Sequence, residues 1–252
     1  LQDRSTVVAL AGHNRARANH LRGTIAMRRS SVVVLLLAVM VVAAPLARSR
    51  AQSRGESHFA RWEKAIATFE EKDRQSPPPH HAVVFVGSSS IRFWDVAKSF
   101  PGVEAINRGF GGSELADSAH FAPRIVLPYE PRTVVLYAGD NDLAAGKTPE
   151  QVAADFREFT RVVLARLPKT RIIYLSIKPS PYRWSIVDKG RAANELIAAQ
   201  CKSDDHLIFL DVGTPLLGSD GKPRRELFRS DGLHLNEKGY EVWAGLLKPY
   251  LR

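Results

Sequence analysis

The sequence predicts an α/β protein whose parallel sheet is covered by helices on both sides. Five short, almost wholly apolar runs, at residues 82–86, 103–106, 133–137, 171–176 and 207–210, read as strands buried on both faces. Between them the apolar residues recur at helical spacing, and strands alternating with helices imply βαβ units. No internal repeat or linker interrupts the pattern, so residues 80–252 are expected to form one domain. The expected architecture is a three-layer α/β/α sandwich around a five-stranded, mainly parallel sheet.

The first part of the chain stands apart by its charge. The 252 residues carry 36 Lys+Arg against 26 Asp+Glu, a net charge of +10. Residues 1–51 hold eight Arg and one acid, Asp3, or +7, which leaves +3 for residues 52–252. The basic balance would suggest a nucleic acid or an anionic membrane as partner. Since most of it lies in the first fifth, no nucleic-acid partner is expected for the domain. Met27-Arg28-Arg29-Ser30 precedes an apolar run at 32–44, which reads as the charged and hydrophobic regions of an export signal. Ser49-Arg50-Ala51 offers small residues for cleavage before Gln52, and Met27 is the expected start. The run is short for a membrane span. The protein is therefore expected to be exported, periplasmic or secreted, and to meet a membrane only through this segment if it stays uncleaved.

Residues 52–79 are expected to be a helix and a Pro-rich connector. Phe59, Trp62, Ala65, Ile66 and Phe69 share one helical face over residues 58–72, and Gln75-Ser76-Pro77-Pro78-Pro79 ends it. Thr148-Pro149-Glu150-Gln151 is a capping box with Pro at the first position, opening a helix to about residue 167. A further helix is expected at 188–201. The last follows Asn236 and presents Tyr240, Trp243, Leu246 and Leu247 on one face. Phe93, Trp94 and Trp243 are expected in the core. The single cysteine, Cys201, excludes an internal disulfide and a Cys-based zinc cluster, and reads as an inert thiol.

In an open parallel sheet, sites form beyond the carboxyl ends of the strands. Four polar or glycine-rich segments fall there: Gly87-Ser88-Ser89-Ser90, Asn107-Arg108-Gly109-Phe110-Gly111-Gly112-Ser113, Gly139-Asp140-Asn141-Asp142, and Ser230-Asp231-Gly232-Leu233-His234-Leu235-Asn236. The chemistry they can supply is acyl transfer. A serine hydroxyl needs an imidazole to take its proton, and the imidazole needs a carboxylate to fix its tautomer. Asp231 and His234, three apart in a loop, can meet if it curls, with the second ring nitrogen facing one of the three serines. A glycine N–H after the second strand and the Asn141 amide could stabilise an oxyanion. Taken singly, each segment also reads as a turn or a helix cap.

Taken together, the four segments resemble the signature blocks of the SGNH (GDSL-type) hydrolases, serine esterases and lipases on a flavodoxin-like sheet. The resemblance covers residues 80–252. It implies Ser89 as nucleophile, with Asp231 and His234 completing the triad. It also implies an oxyanion hole of the Ser89 N–H, the Gly112 N–H and Asn141. Where the family has Asp before the nucleophile, this chain has Ser88. The implied activity is hydrolysis of carboxylic esters through an acyl-enzyme, with no cofactor and no metal. The expected substrate is a small-molecule or carbohydrate ester with a short or medium acyl group, O-acetylated sugars and lysophospholipid-type esters included.

Three alternatives use the same residues. An acyltransferase would pass the acyl group to a sugar instead of water. A carbohydrate-binding protein could keep the fold without catalysis. A metal-dependent phosphoesterase would gather Asp140, Asn141, Asp142 and His234 around a divalent ion. Arg183 and Trp184, after the fourth strand, are candidate substrate-pocket residues.

Overall fold

A computed structural model describes residues 58–251. From Phe59 on, the described residues belong to one compact unit, Phe59–Arg252. The export-signal reading falls on residues outside those described. This unit begins upstream of residue 80, so the N-terminal helix belongs to the same compact body as the strands.

The five strands are β1 (Val83–Gly87), β2 (Ala105–Gly109), β3 (Thr133–Tyr137), β4 (Arg171–Leu175) and β5 (Leu207–Leu210). They pair in the order β2-β1-β3-β4-β5, every pair parallel. That is the flavodoxin-like order, whose switch point lies between β1 and β3. Successive side chains on a strand point to opposite faces, and the core divides accordingly. Val84, Val86, Val134, Leu136, Ile172 and Tyr174 pack on one side, and Val83, Phe85, Val135, Tyr137, Ile173 and Leu175 on the other.

The helices cover both faces. On the first side lie α1 (Glu63–Gln75), α4 (Leu115–Ile125), α6 (Pro149–Leu164) and α7 (Val187–Cys201), which bury Ile66, Phe121, Phe156, Phe159 and Ile197. On the second lie α2 (Ser89–Arg92), α3 (Val96–Ser99) and α8 (Glu237–Leu247), with Ile91, Val96, Trp243 and Leu247. A short helix, α5 (Asp140–Ala144), follows β3. The capping box at α6 forms as read: the Thr148 side chain accepts from Gln151 N–H, and Gln151 returns the bond to Thr148 N–H.

Three expectations need correction. The second strand begins and ends later than residues 103–106, because Asn107 and Arg108 are strand residues. The Asn107 amide is spent on the Ile91 and Trp94 carbonyls, and Arg108 is buried on Asp73 and Tyr129. Helix α4 was not anticipated: Pro123 lies inside it, and its capping box uses Glu114 and Asp117. Phe93 is 38% exposed, whereas Trp94 and Trp243 are buried as expected. Phe93 stands one turn beyond Ser89, and therefore on the face of α2 that the catalytic edge uses.

Candidate active site

The turn after β1 is set by a close approach of two strands. Gly87 has φ +134, and a Cβ there would stand 1.9 Å from the Tyr137 carbonyl oxygen, so only glycine lets β1 run out beside β3. The chain then turns into α2, with Ser88 N–H donating to that carbonyl. The three serines have separate fates. Ser88 is fully buried, its hydroxyl without a partner among the described residues. Ser90 is buried too, and its hydroxyl faces the Lys178 ammonium at 3.2 Å. Only the Ser89 hydroxyl meets an imidazole, 2.9 Å from His234 Nε2.

The loop before α8 brings the acid and the imidazole together. Asp231 Oδ2 lies 2.7 Å from His234 Nδ1, and Oδ1 accepts from the Leu233 and His234 backbone N–H groups. Burial alone would raise the Asp231 pKa, but the hydrogen bonds from His234 and Leu233 outweigh it and bring it down to about 2. A carboxylate ionised in this way fixes the proton on Nδ1 and leaves Nε2 free to accept one from Ser89.

The groups expected as oxyanion donors lie on the loop after β2 and in α5. The loop after β2 passes close to Ser89: a Cβ on Gly111 would lie 3.8 Å from Ser89 Cβ. Gly112, at φ +78, takes a left-handed conformation, with the Trp62 ring on the side where a Cβ would point. Neither the Ser89 nor the Gly112 N–H donates to a described residue. Asn141 is clamped at both ends. Its Nδ2 donates to the Ser113 carbonyl at 2.9 Å, and its Oδ1 accepts from Arg183 Nη2 at 2.8 Å. The amide orientation is thereby fixed, and one N–H remains for a ligand.

Arg183 thus reaches the site through Asn141. Its Nη1 also pairs with Asp140 Oδ2 at 2.9 Å, and Asp140 in turn faces Lys178 Nζ at 3.3 Å. Burial would raise the Asp140 pKa, but the two cations overcome this and hold it below the usual carboxylate range. The same loop braces the segment bearing Asp231 and His234, since Tyr182 N–H donates to the Gly232 carbonyl at 3.0 Å. A cavity of about 90 Å³ beside the Asp140–Arg183 pair is lined by Ile177, Pro179, Ile186 and Asn194 among others. Trp184 is half-buried and does not line it.

The metal-site alternative finds no support in this geometry. Asp140 is paired with Lys178 and Arg183, and Asp142 with Lys147 and the Leu115 N–H. No group of three His, Cys, Asp or Glu among the described residues is placed to hold an ion. Cys201 is buried, with its thiol pKa pushed up to about 12 by that burial, as an inert thiol should be. Sequence reasoning missed Lys178, Asp140 as its counter-ion, and Phe93, whose ring edge meets the His234 ring at 5.0 Å.

A parallel sheet with a serine, an imidazole and a carboxylate aligned at its carboxyl edge defines the class of α/β hydrolytic enzymes. The sequence places the chain more narrowly: the model of the GDSL-like lipase/acylhydrolase family matches residues 87–242, and the chain belongs to that family. Solved structures share the fold. A protein from Streptococcus pneumonia, provisionally described as a platelet activating factor, superposes with a TM-score of 0.69 at 20% identity, covering 81% of this chain and 99% of its own. A GDSL-like lipase from Bacteroides thetaiotaomicron reaches 0.61 at 22% identity, with 77% and 96% covered. An acetylxylan esterase from Geobacillus stearothermophilus, solved as a catalytic mutant, gives 0.56 at 12% identity, with 69% and 95% covered. No curated protein sequence matches the chain.

Proposed function

We propose that the protein is an exported serine esterase that hydrolyses carboxylic esters of short or medium acyl chains. The observation that carries this reading is the line from Ser89 Oγ to His234 Nε2 at 2.9 Å and from His234 Nδ1 to Asp231 at 2.7 Å. His234 takes the Ser89 proton as the hydroxyl oxygen attacks the ester carbonyl. The tetrahedral oxyanion is held by the Ser89 and Gly112 N–H groups and the Asn141 amide. When the intermediate collapses, the carbon–oxygen bond to the alcohol breaks and His234 gives its proton to the departing oxygen. Water then repeats the sequence on the acyl-enzyme and releases the acid. The substrates fitting this reading are small-molecule or carbohydrate esters. The N-terminal apolar segment, as an export signal, would deliver the enzyme outside the cytoplasm.

Turnover of 4-nitrophenyl acetate by the purified protein tests this reading. Ser89→Ala should lower kcat by roughly four to six orders of magnitude. A fluorophosphonate probe should label the native protein and leave the variant untouched. Full activity in Ser89→Ala would overturn the assignment.

A further inference from the structure

The helical turn that carries Ser89 carries two more groups on the same face. Arg92 and Phe93 follow at the i+3 and i+4 positions, and Phe93 N–H donates to the Ser89 carbonyl at 2.9 Å. Phe93 is exposed beside His234, its ring nearly perpendicular to the imidazole. Two guanidinium groups lie against the Phe93 ring, Arg92 with its central carbon 5.7 Å from the centroid and Arg229 at 4.6 Å. Arg92 also approaches the oxyanion loop, its Nη1 being 3.1 Å from the point a Cβ on Gly111 would occupy. Neither arginine is paired with a carboxylate of any described residue. Arg183, by contrast, is held by Asp140 and Asn141.

Placement decides which part of a substrate meets these groups. His234 must protonate the departing alcohol, so the alcohol lies on the imidazole side of Ser89, and the oxyanion lies on the side of Gly112 and Asn141. Phe93 and Arg229 are on the imidazole side. From them a groove of about 660 Å³ continues past Trp94, Lys98, Tyr240 and Lys248. Its acids are largely engaged within it, Asp95 on the Lys98 N–H and Glu237 on the Lys98 ammonium. Arg229 lines this groove beside Phe93; its Nε donates to the Leu235 carbonyl at 3.1 Å, and its two terminal nitrogens retain donors for an anionic oxygen. Arg92 stands outside the groove, between the Phe93 ring and Gly111.

We propose that Phe93 and Arg229, with Arg92 flanking the Phe93 ring, form an alcohol-side subsite for an ester whose alcohol bears a carboxylate or a phosphate. This inference deepens the esterase reading and rests on it. Phe93 gives the alcohol moiety an apolar surface beside the scissile bond, and the two guanidinium groups take its charge. Both lie at the surface, so the selectivity is moderate and weakens with salt.

Matched acetyl esters, alike except for one charge, test the subsite. One pair is an O-acetyl hexose and the corresponding O-acetyl hexuronate, and the other is acetylglycerol and acetylglycerol phosphate. The expected result at low salt is a kcat/KM about five- to tenfold higher for at least one anionic ester, carried by KM and lost in about 0.5 M NaCl. The pair that responds tells a carboxylate site from a phosphate site. In Arg92→Gln/Arg229→Gln the anionic-to-neutral ratio should fall to about unity. Arg92→Lys/Arg229→Lys, which keeps the charge, should retain part of it. Equal kcat/KM within both pairs for the native protein, or a ratio unchanged in the double Gln variant, would overturn the proposal. Calorimetric titration of Ser89→Ala with hexuronate, hexose, glycerol phosphate and glycerol reads the same preference without turnover. Selective binding there, with the native protein inactive on every ester, would refute the esterase reading and leave the anion site standing, whereas binding without selectivity would refute the site.

Discussion

Arg183 donates to the carbonyl end of the Asn141 amide, and in the proposed mechanism this polarises its N–H toward the reacting oxygen. It acts through Asn141, and its loss should be seen in the chemical step. Arg183→Gln is expected to lower kcat about tenfold or more while KM changes less than about threefold, measured with 4-nitrophenyl acetate. A rise in KM alone would instead mark Arg183 as a substrate contact. Asp231 is read at the same scale. Its folded-state pKa is about 2 and its ordinary value 3.8, so its favourable contribution is complete above 3.8 and is lost as pH falls toward 2. A fall in activity between about pH 4 and 7 therefore belongs to another group. Asp231→Asn should cost about two to four orders of magnitude in kcat near neutral pH, because the imidazole loses the partner that fixes its tautomer. An acid limb that moved below about pH 4 in the native enzyme would leave Asp231 as its source.

Helices α4 and α5 are joined by a carboxylate. Asp142, fully buried, accepts from the Leu115 N–H and from Lys147, whose ammonium also meets Glu114 and Asp155. This bond links the element after Gly112 to the one bearing Asn141. Burial raises the Asp142 pKa to about 6, with Lys147 opposing it. The sign follows: the folded state holds this proton more tightly than the unfolded chain, so ionisation subtracts stability as pH rises from about 4 to about 6. Asp142→Asn removes that dependence. Its stability relative to the native protein should improve by up to about 2–3 kcal/mol between about pH 4 and pH 7.5, measured by urea denaturation. An unchanged difference across that range would show that Asp142 does not titrate there. At this scale legibility varied with how local the signals are. The Thr148 capping box is written in four adjacent residues and could be read directly. Helix α4 could not, since Pro123 argues against it and the groups holding its first turn include Asp142 from another element.

Across the whole molecule, the order β2-β1-β3-β4-β5 places the loops after β1, β2 and β3 and the segment before α8 along one edge. The charge partition suggests that this domain is nearly balanced, with the basic excess confined to residues 1–51. Cleavage before Gln52 should lower the formal net charge from +10 to +3, and mass spectrometry with isoelectric focusing of protein recovered outside the cytoplasm should show both changes. Recovery of the intact basic chain with the cells would refute cleavage. The alternation of apolar runs and helical faces, and the residue types waiting at each strand end, were determined by sequence, because periodicity and turn chemistry act over a few residues. The family resemblance singles out Ser89 among three adjacent serines, and only the tertiary structure brings its hydroxyl to His234, 145 residues away. The tertiary structure alone turned Phe93 out of the core and Arg183 onto Asn141. Those choices depend on which distant side chains the packed sheet brings within hydrogen-bond reach, and no local pattern encodes them.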